Sequence, residues 1–173
     1  MDLSLWILFI AGPIGAIDVM YFHMWKFRLF SRAQSRSEEI THVIRGVMVP
    51  AVFAVLLLGR PEGTLFWIVA ALFFLDTVNS LIDVMIEPRS RAPLGVPPQE
   101  LAIHFLGTSM MGAAWATYMI SGWPTRNAPS ALVPWPAGTF PAWLPTMAWG
   151  ALAFGLVLVA VETALVIRYA RRA

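Results

Sequence analysis

The 173-residue sequence contains no cysteine, which excludes disulfides, thiolate zinc sites and cysteine-ligated iron–sulfur clusters. Charged residues are scarce as well, at 13% of the chain against about 25% in soluble domains. The formal net charge of +2 gives no reason to expect a nucleic-acid partner. The sequence also lacks a phosphate-binding loop, a dinucleotide-binding glycine turn and an H-E-x-x-H zinc motif. These absences argue against the common soluble enzyme classes.

Apolar residues are abundant, at 58% of the chain, and they fall into long runs. A transmembrane helix needs about 20 mostly apolar residues. Five runs meet that length, at residues 3–22, 40–58, 64–86, 101–121 and 144–167. The first run has no basic region before it and no clear cleavage site after it, so we expect a retained helix. The sequence therefore predicts a single all-α membrane domain of about five transmembrane helices in a lipid bilayer.

A short internal match suggests how these helices are arranged. The sequence Ile-Asp-Val-Met occurs at residues 17–20 and again at 82–85, and each copy is followed by a Glu and, four residues later, a His. This pattern predicts two helix-pair repeats, residues 1–58 and 64–122, related by a pseudo-twofold axis along the membrane normal. Residues 123–145, rich in Pro and Trp, are expected to form an irregular outer segment. Residues 146–173 would supply the fifth helix and a basic tail.

Basic residues lie mostly in loops that an alternating topology places on one side. They are Lys26, Arg28, Arg32, Arg36, Arg89, Arg91, Arg168, Arg171 and Arg172. The other side holds only Arg60 and Arg126. Because Lys and Arg favour the cytoplasmic side, we expect the N-terminus outside and the C-terminus in the cytoplasm, with the chain in a bacterial inner membrane.

The same topology brings ionisable residues of four helices to one level near the cytoplasmic face. The predicted metal ligands are Asp18, Glu38, His42, Asp83, Glu87, Glu100 and His104. Residues four apart share a helix face, so each of these Glu–His pairs would point in one direction. Carboxylates and imidazoles from four helices resemble the ligand inventory of di-iron and di-manganese bundles, although those sites space Glu and His three apart. Charged groups inside a membrane usually pair with one another or form a functional site.

Three further residues are kept as a proton relay or as reserve ligands. They are Asp76, Glu162 and His23. His23 follows Asp18 by five residues, which in an α-helix does not place the two side chains on one face. We therefore expect His23 to lie off the helix face that carries Asp18, or beyond the helix end.

Nitrogen and oxygen ligands without sulfur favour iron, with zinc or manganese as alternatives. The sequence thus indicates a membrane metalloprotein, an oxidoreductase acting on a lipid-soluble substrate such as a quinone or an acyl chain. A b-type cytochrome with His42 and His104 as haem ligands is a second interpretation. A non-enzymatic subunit that contacts other membrane subunits is a third, in which Glu38 and Glu100 merely favour helix N-termini.

Overall fold

The computed structural model describes residues 2–92 and 94–170, and 82% of the chain is helical. The long helices are α1 (Asp2–Ile17), α2 (Arg36–Leu58), α3 (Thr64–Ser90), α4 (Pro98–Gly122) and α5 (Trp143–Ala170). Helix α1 continues directly into a π-helical segment, Asp18–Lys26, and 3-10 turns occur at Leu29–Ser31, Ala33–Ser35 and Trp123–Thr125. The expected all-α bundle is therefore confirmed. Arg171 and Arg172 of the predicted basic tail lie outside the described residues.

Four of these helices are long and apolar enough to cross a membrane. The stretches are Asp2–Lys26, Ala33–Leu58, Thr64–Ser90 and Trp143–Ala170. Helix α4, which contains the run expected at residues 101–121, is not in this set. Its first turns carry Gln99, Glu100 and His104, and small or hydroxylated residues recur along the rest of it. Its lower apolarity suits a helix that packs against neighbours on one side.

The apolar core occupies one end of the bundle. Leu5 of α1, Leu56 of α2, Phe66 of α3 and Tyr118 of α4 are fully buried there. The Tyr118 hydroxyl donates a hydrogen bond of 2.9 Å to the carbonyl oxygen of Phe66, and the two rings stack with centroids 5.1 Å apart. Leu144 at the start of α5 is also buried at this end. The opposite end of the bundle is thus left for the polar residues.

Two loops at the apolar end pair as a short antiparallel ribbon. Strand β1 (Arg60–Glu62) runs against β2 (Ala131–Val133), with Pro61 opposite Leu132. The Trp135 indole nitrogen donates to the carbonyl oxygen of Leu56 at 2.8 Å and ties the segment to α2. The segment expected to be irregular, residues 123–145, therefore contains a 3-10 turn and a strand. Three residues are too few to show a strand periodicity in the sequence.

Candidate metal centre

Eleven ionisable side chains collect at the polar end of the bundle, and we call them the carboxylate–histidine cluster. They are Asp18, His23, Glu38, Glu39, His42, Asp83, Glu87, Arg91, Glu100, His104 and Glu162. The π-helical segment supplies two of them, and α2, α3, α4 and α5 or their ends supply the others. Every carboxylate in this set is buried. The cluster therefore joins all five helices at a single level.

Three imidazoles form the centre of the cluster. The ring centroids of His23 and His42 are 4.0 Å apart, and those of His42 and His104 are 6.1 Å apart. One ring nitrogen from each of the three histidines lies within 4.8 Å of the other two. His23 is fully buried, whereas the other two retain some exposure. This spacing is close enough for the three nitrogens to share one metal ion after small side-chain adjustments.

A π-helical turn explains why His23 belongs to the site. In a π-helix the backbone hydrogen bonds join residues five apart, so two side chains with that spacing lie near one face of the helix. Asp18 opens this segment and His23 follows five residues later, with the Asp18 Oδ2 and His23 Nε2 atoms 4.0 Å apart. The expectation that His23 and Asp18 do not share a helix face was wrong, because it assumed an α-helix throughout. π-bulges are common at functional sites.

Each of the two other histidines pairs with an aspartate from a different helix. His104 Nε2 lies 2.8 Å from Asp18 Oδ2, within hydrogen-bond distance, and His42 Nε2 lies 3.3 Å from Asp83 Oδ2. Asp83 also accepts a hydrogen bond of 2.5 Å from the Thr41 hydroxyl. The two aspartates are those of the repeated Ile-Asp-Val-Met sequence, so the matched positions make matched contacts. The internal repeat itself stays a prediction.

Arg91, at the end of α3, is a buried counterion within the cluster. Its guanidinium donates to Glu38 through Nε at 2.7 Å and through Nη2, and its Nη1 lies 2.5 Å from Glu100 Oε1. Its Nη2 also donates to His23 Nε2 at 3.1 Å. Burial acts to lower the pKa of Arg91, but the Glu38 hydrogen bonds and the charges of Glu38 and Glu100 raise it overall. The side chain therefore stays charged and holds two predicted ligands.

Glu39 and Glu162 meet His23 on its other side. Glu39 Oε1 lies 3.4 Å from His23 Nδ1, and both residues are almost fully buried. Donor atoms of His23, Glu39 and Glu162 lie within 4.8 Å of one another. The sequence did not single out Glu39. Its one available signal was a second acid directly after Glu38 at the start of an apolar helix.

The predicted ligands thus divide into two sets. Asp18, Glu100 and His104 share a candidate group with His23, and His42 joins the group of three histidines. The remaining predicted ligands are held by neighbours and are in none of these groups. Glu38 accepts hydrogen bonds from Arg91, and Asp83 contacts Thr41 and His42. Glu87 lies 3.7 Å from His104 Nδ1 and 3.5 Å from the Arg91 guanidinium. Asp76 pairs instead with Arg45 of α2 at 3.4 Å.

Comparisons with models of protein families, with curated proteins and with solved structures found no match to this chain. Its function is therefore inferred from the chemistry of the carboxylate–histidine cluster.

Negative charge exceeds positive charge in this cluster. Seven buried carboxylates face one buried guanidinium and three imidazoles, so three carboxylates would lack a counter-charge even with every imidazole protonated. Isolated buried charges are costly, and such groups normally pair or coordinate a metal. Several buried atoms also have no hydrogen-bond partner among the described residues. They include Asp18 Oδ1, His23 Nδ1, Glu39 Oε1, His42 Nε2, Glu100 Oε2 and Glu162 Oε1.

One edge of the cluster reaches the surface of the bundle. The side chains of His42, Asp83 and His104 are 9%, 11% and 15% exposed. The residues that follow Asp83 and His104 in sequence, Val84 and Phe105, are 60% and 76% exposed. The open edge is therefore bordered by apolar side chains on α3 and α4.

Proposed function

We propose that this chain is an integral membrane metalloprotein whose carboxylate–histidine cluster binds a metal ion. The observation that carries the proposal is the convergence of three imidazoles within a set of buried carboxylates that outnumber the buried cations. The metal would be held by His104 together with His42, or with Asp18 and Glu100, because the ligand atoms of each of these sets lie within 4.8 Å of one another; His23 belongs to both sets. Iron is favoured, and zinc or manganese would fit the same nitrogen and oxygen ligands. Asp83 at His42 resembles the carboxylates that orient metal-bound imidazoles.

The reaction proposed for this site is an oxidation or reduction of a lipid-soluble substrate. A carboxylate–histidine site in a helical bundle is typical of di-iron and di-manganese proteins, which is why a redox metal is favoured. The open edge at His42 and His104 lies between apolar side chains of helices that are surrounded by lipid. A quinone or an acyl chain would reach the ligands through this edge without crossing water.

The cluster is proposed to face the cytoplasm of a bacterial cell. The loops at this end, residues 26–36 and 89–92, carry six of the basic residues, and Arg168 of α5 lies at the same end. The far end carries Arg60 and Arg126. This asymmetry is what the positive-inside rule associates with a cytoplasmic face.

The second candidate is that the cluster is a purely structural polar network, and the ion pairs of Arg91 favour it. This one side chain is ion-paired with both Glu38 and Glu100 and would hold α2, α3 and α4 together without any metal. Such a chain would be a non-enzymatic subunit of a larger membrane complex. The haem interpretation has less support, because a ring of buried carboxylates would repel haem propionates. Absence of a Soret band in the purified protein would remove it.

The proposal is tested by elemental analysis of the protein purified in detergent. We expect stoichiometric iron, or zinc or manganese, in the wild type and a lower metal content in the His42→Ala/His104→Ala variant. Asp76→Asn is the matched control, because Asp76 is a buried acid of the same bundle that lies outside every candidate ligand group. A wild-type protein without stoichiometric metal would contradict the proposal and favour the structural network.

A further inference from the structure

The two ring nitrogens of His23 face different sets of carboxylates. Nε2 lies 4.0 Å from Asp18 Oδ2 and 3.6 Å from Glu100 Oε1, on the side of the proposed metal. Nδ1 lies 3.4 Å from Glu39 Oε1, on the side of Glu162. One imidazole thus separates two groups of potential ligands.

The group on the Nδ1 side is buried, and among the described residues no Lys or Arg side chain is paired with it. His23, Glu39 and Glu162 are at most 1% exposed, and their donor atoms lie within 4.8 Å of one another. His23 Nδ1, Glu39 Oε1 and Glu162 Oε1 all lack a hydrogen-bond partner among the described residues. Arg91, the buried cation of the cluster, is hydrogen-bonded to His23 through Nε2 instead.

Glu162 is unusual for its helix. The other buried residues of α5 are Leu144, Ala148 and Leu152, which are all apolar, and the last two pack in the apolar core. A charged side chain within a membrane helix costs about 2.5–3.5 kcal/mol on insertion scales, so an inward-facing acid normally has a partner. Among the described residues, its candidate neighbours for sharing an ion are Glu39 and His23.

We infer that His23 Nδ1, Glu39 and Glu162 bind a second divalent cation, which makes the centre dinuclear with His23 between the two ions. The inference rests on the proposed function, because the first ion is the one assigned to His104 and the ligands that share a group with it. One imidazole and two carboxylates form a ligand set for Mn²⁺, Fe²⁺ or Zn²⁺. Two negative carboxylates and a neutral imidazole also balance the charge of a divalent ion.

Coordination at Nδ1 requires the proton of His23 to move from one ring nitrogen to the other. Arg91 can only donate, so Nε2 accepts its hydrogen bond and a neutral His23 carries its proton on Nδ1. An ion at Nδ1 takes the place of that proton, which moves to Nε2. There Glu100 Oε1, 3.6 Å away, accepts the N–H while Arg91 keeps its hydrogen bonds to Glu38. Metal-bound histidines commonly donate their second N–H to a carboxylate in this way.

The second group borders a small cleft at the polar end of the bundle. Glu39 lines this cleft together with Phe30 and Val166, and also with the basic residues Arg32 and Arg36. Val166 lies one helical turn beyond Glu162 on the same face of α5. The cleft therefore lies between the start of α2 and the end of α5, next to Glu39.

The test uses the full-length protein in detergent, stripped with a chelator and reloaded with Mn²⁺ alone. Bound Mn²⁺ is counted by elemental analysis, and electron paramagnetic resonance distinguishes two nearby ions, coupled through their magnetic dipoles, from one isolated ion. Glu162→Gln removes a charge from the second group only, and Glu39→Gln does the same from α2 if the first variant does not fold. Glu62→Gln, in strand β1 at the opposite end, is the matched control.

We expect two coupled ions in the wild type and in Glu62→Gln, and one isolated ion in Glu162→Gln. His104→Ala should weaken the first ion and leave the second in place. A wild type that binds a single ion would overturn this inference and leave the proposed function standing. Two coupled ions in Glu162→Gln would overturn the assignment of the ligands, and a wild type that binds no ion would overturn both proposals.

Discussion

Replacing Arg91 with methionine tests whether the cluster depends on its internal cation. Methionine keeps the unbranched apolar stem of the side chain and removes the guanidinium with its positive charge. In the structure the guanidinium is fully buried, donates to Glu38 and lies within ion-pair distance of Glu87 and Glu100. The substitution therefore leaves three buried carboxylates without the cation they share.

The expected loss of stability is large. Removing one partner of a buried ion pair costs about 3–5 kcal/mol, because the remaining charge is left uncompensated. Arg89→Met is the control, since Arg89 lies two residues earlier in α3 and is exposed. Exposed substitutions usually change stability by less than about 0.5 kcal/mol. The two variants have the same charge change and differ only in burial.

The assay is equilibrium unfolding of the detergent-solubilised protein with sodium dodecyl sulfate, followed by tryptophan fluorescence. A second titration in the presence of Mn²⁺ tests whether the folded protein binds the ion. Free ion at 100 times its dissociation constant stabilises a folded protein by about 2.7 kcal/mol per site. We therefore expect Mn²⁺ to offset part of the loss in Arg91→Met. An Arg91→Met protein as stable as Arg89→Met would refute the account of Arg91 as a buried counterion.

Two further substitutions test how the helices of the bundle pack against one another. A Cβ atom at Gly46 of α2 would collide with Val159 of α5, so Gly46→Ala should cost about 1–3 kcal/mol, whereas Gly150→Ala, where nothing lies nearby, should not destabilise. Equal unfolding midpoints for these two variants would speak against the α2–α5 contact. Tyr118→Phe removes the hydrogen bond to the Phe66 carbonyl and should lower the free energy of unfolding by about 0.5–1.5 kcal/mol. An unchanged value in the same titration would mean that this hydroxyl is satisfied elsewhere.

The helices could be predicted from the sequence because long apolar runs determine them directly. Each of the five runs lies within a helix of the structure, and the helix ends extend beyond the runs by a few polar residues. The ribbon between β1 and β2 could not be predicted, because its pairing depends on two loops that are far apart in sequence. Local patterns carry no information about such contacts.

The position of the carboxylate–histidine cluster along the bundle could also be predicted, but the contacts between its side chains could not. Alternating topology was enough to bring Asp18, His42 and His104 to one end of the bundle. The π-helical turn that aligns His23 with Asp18 could not be predicted, because the five-residue spacing does not by itself show whether the helix is α or π. Arg89 and Arg91 look alike in sequence, and only the fold shows that Arg91 turns inward while Arg89 faces out.

The most direct test of the central claim is an anomalous-scattering map of crystals grown from protein loaded with iron or manganese. The account predicts a peak among the ring nitrogens of His23, His42 and His104, beside Asp18. A map with no peak at that level, or with a peak only at the opposite end of the bundle, would contradict it.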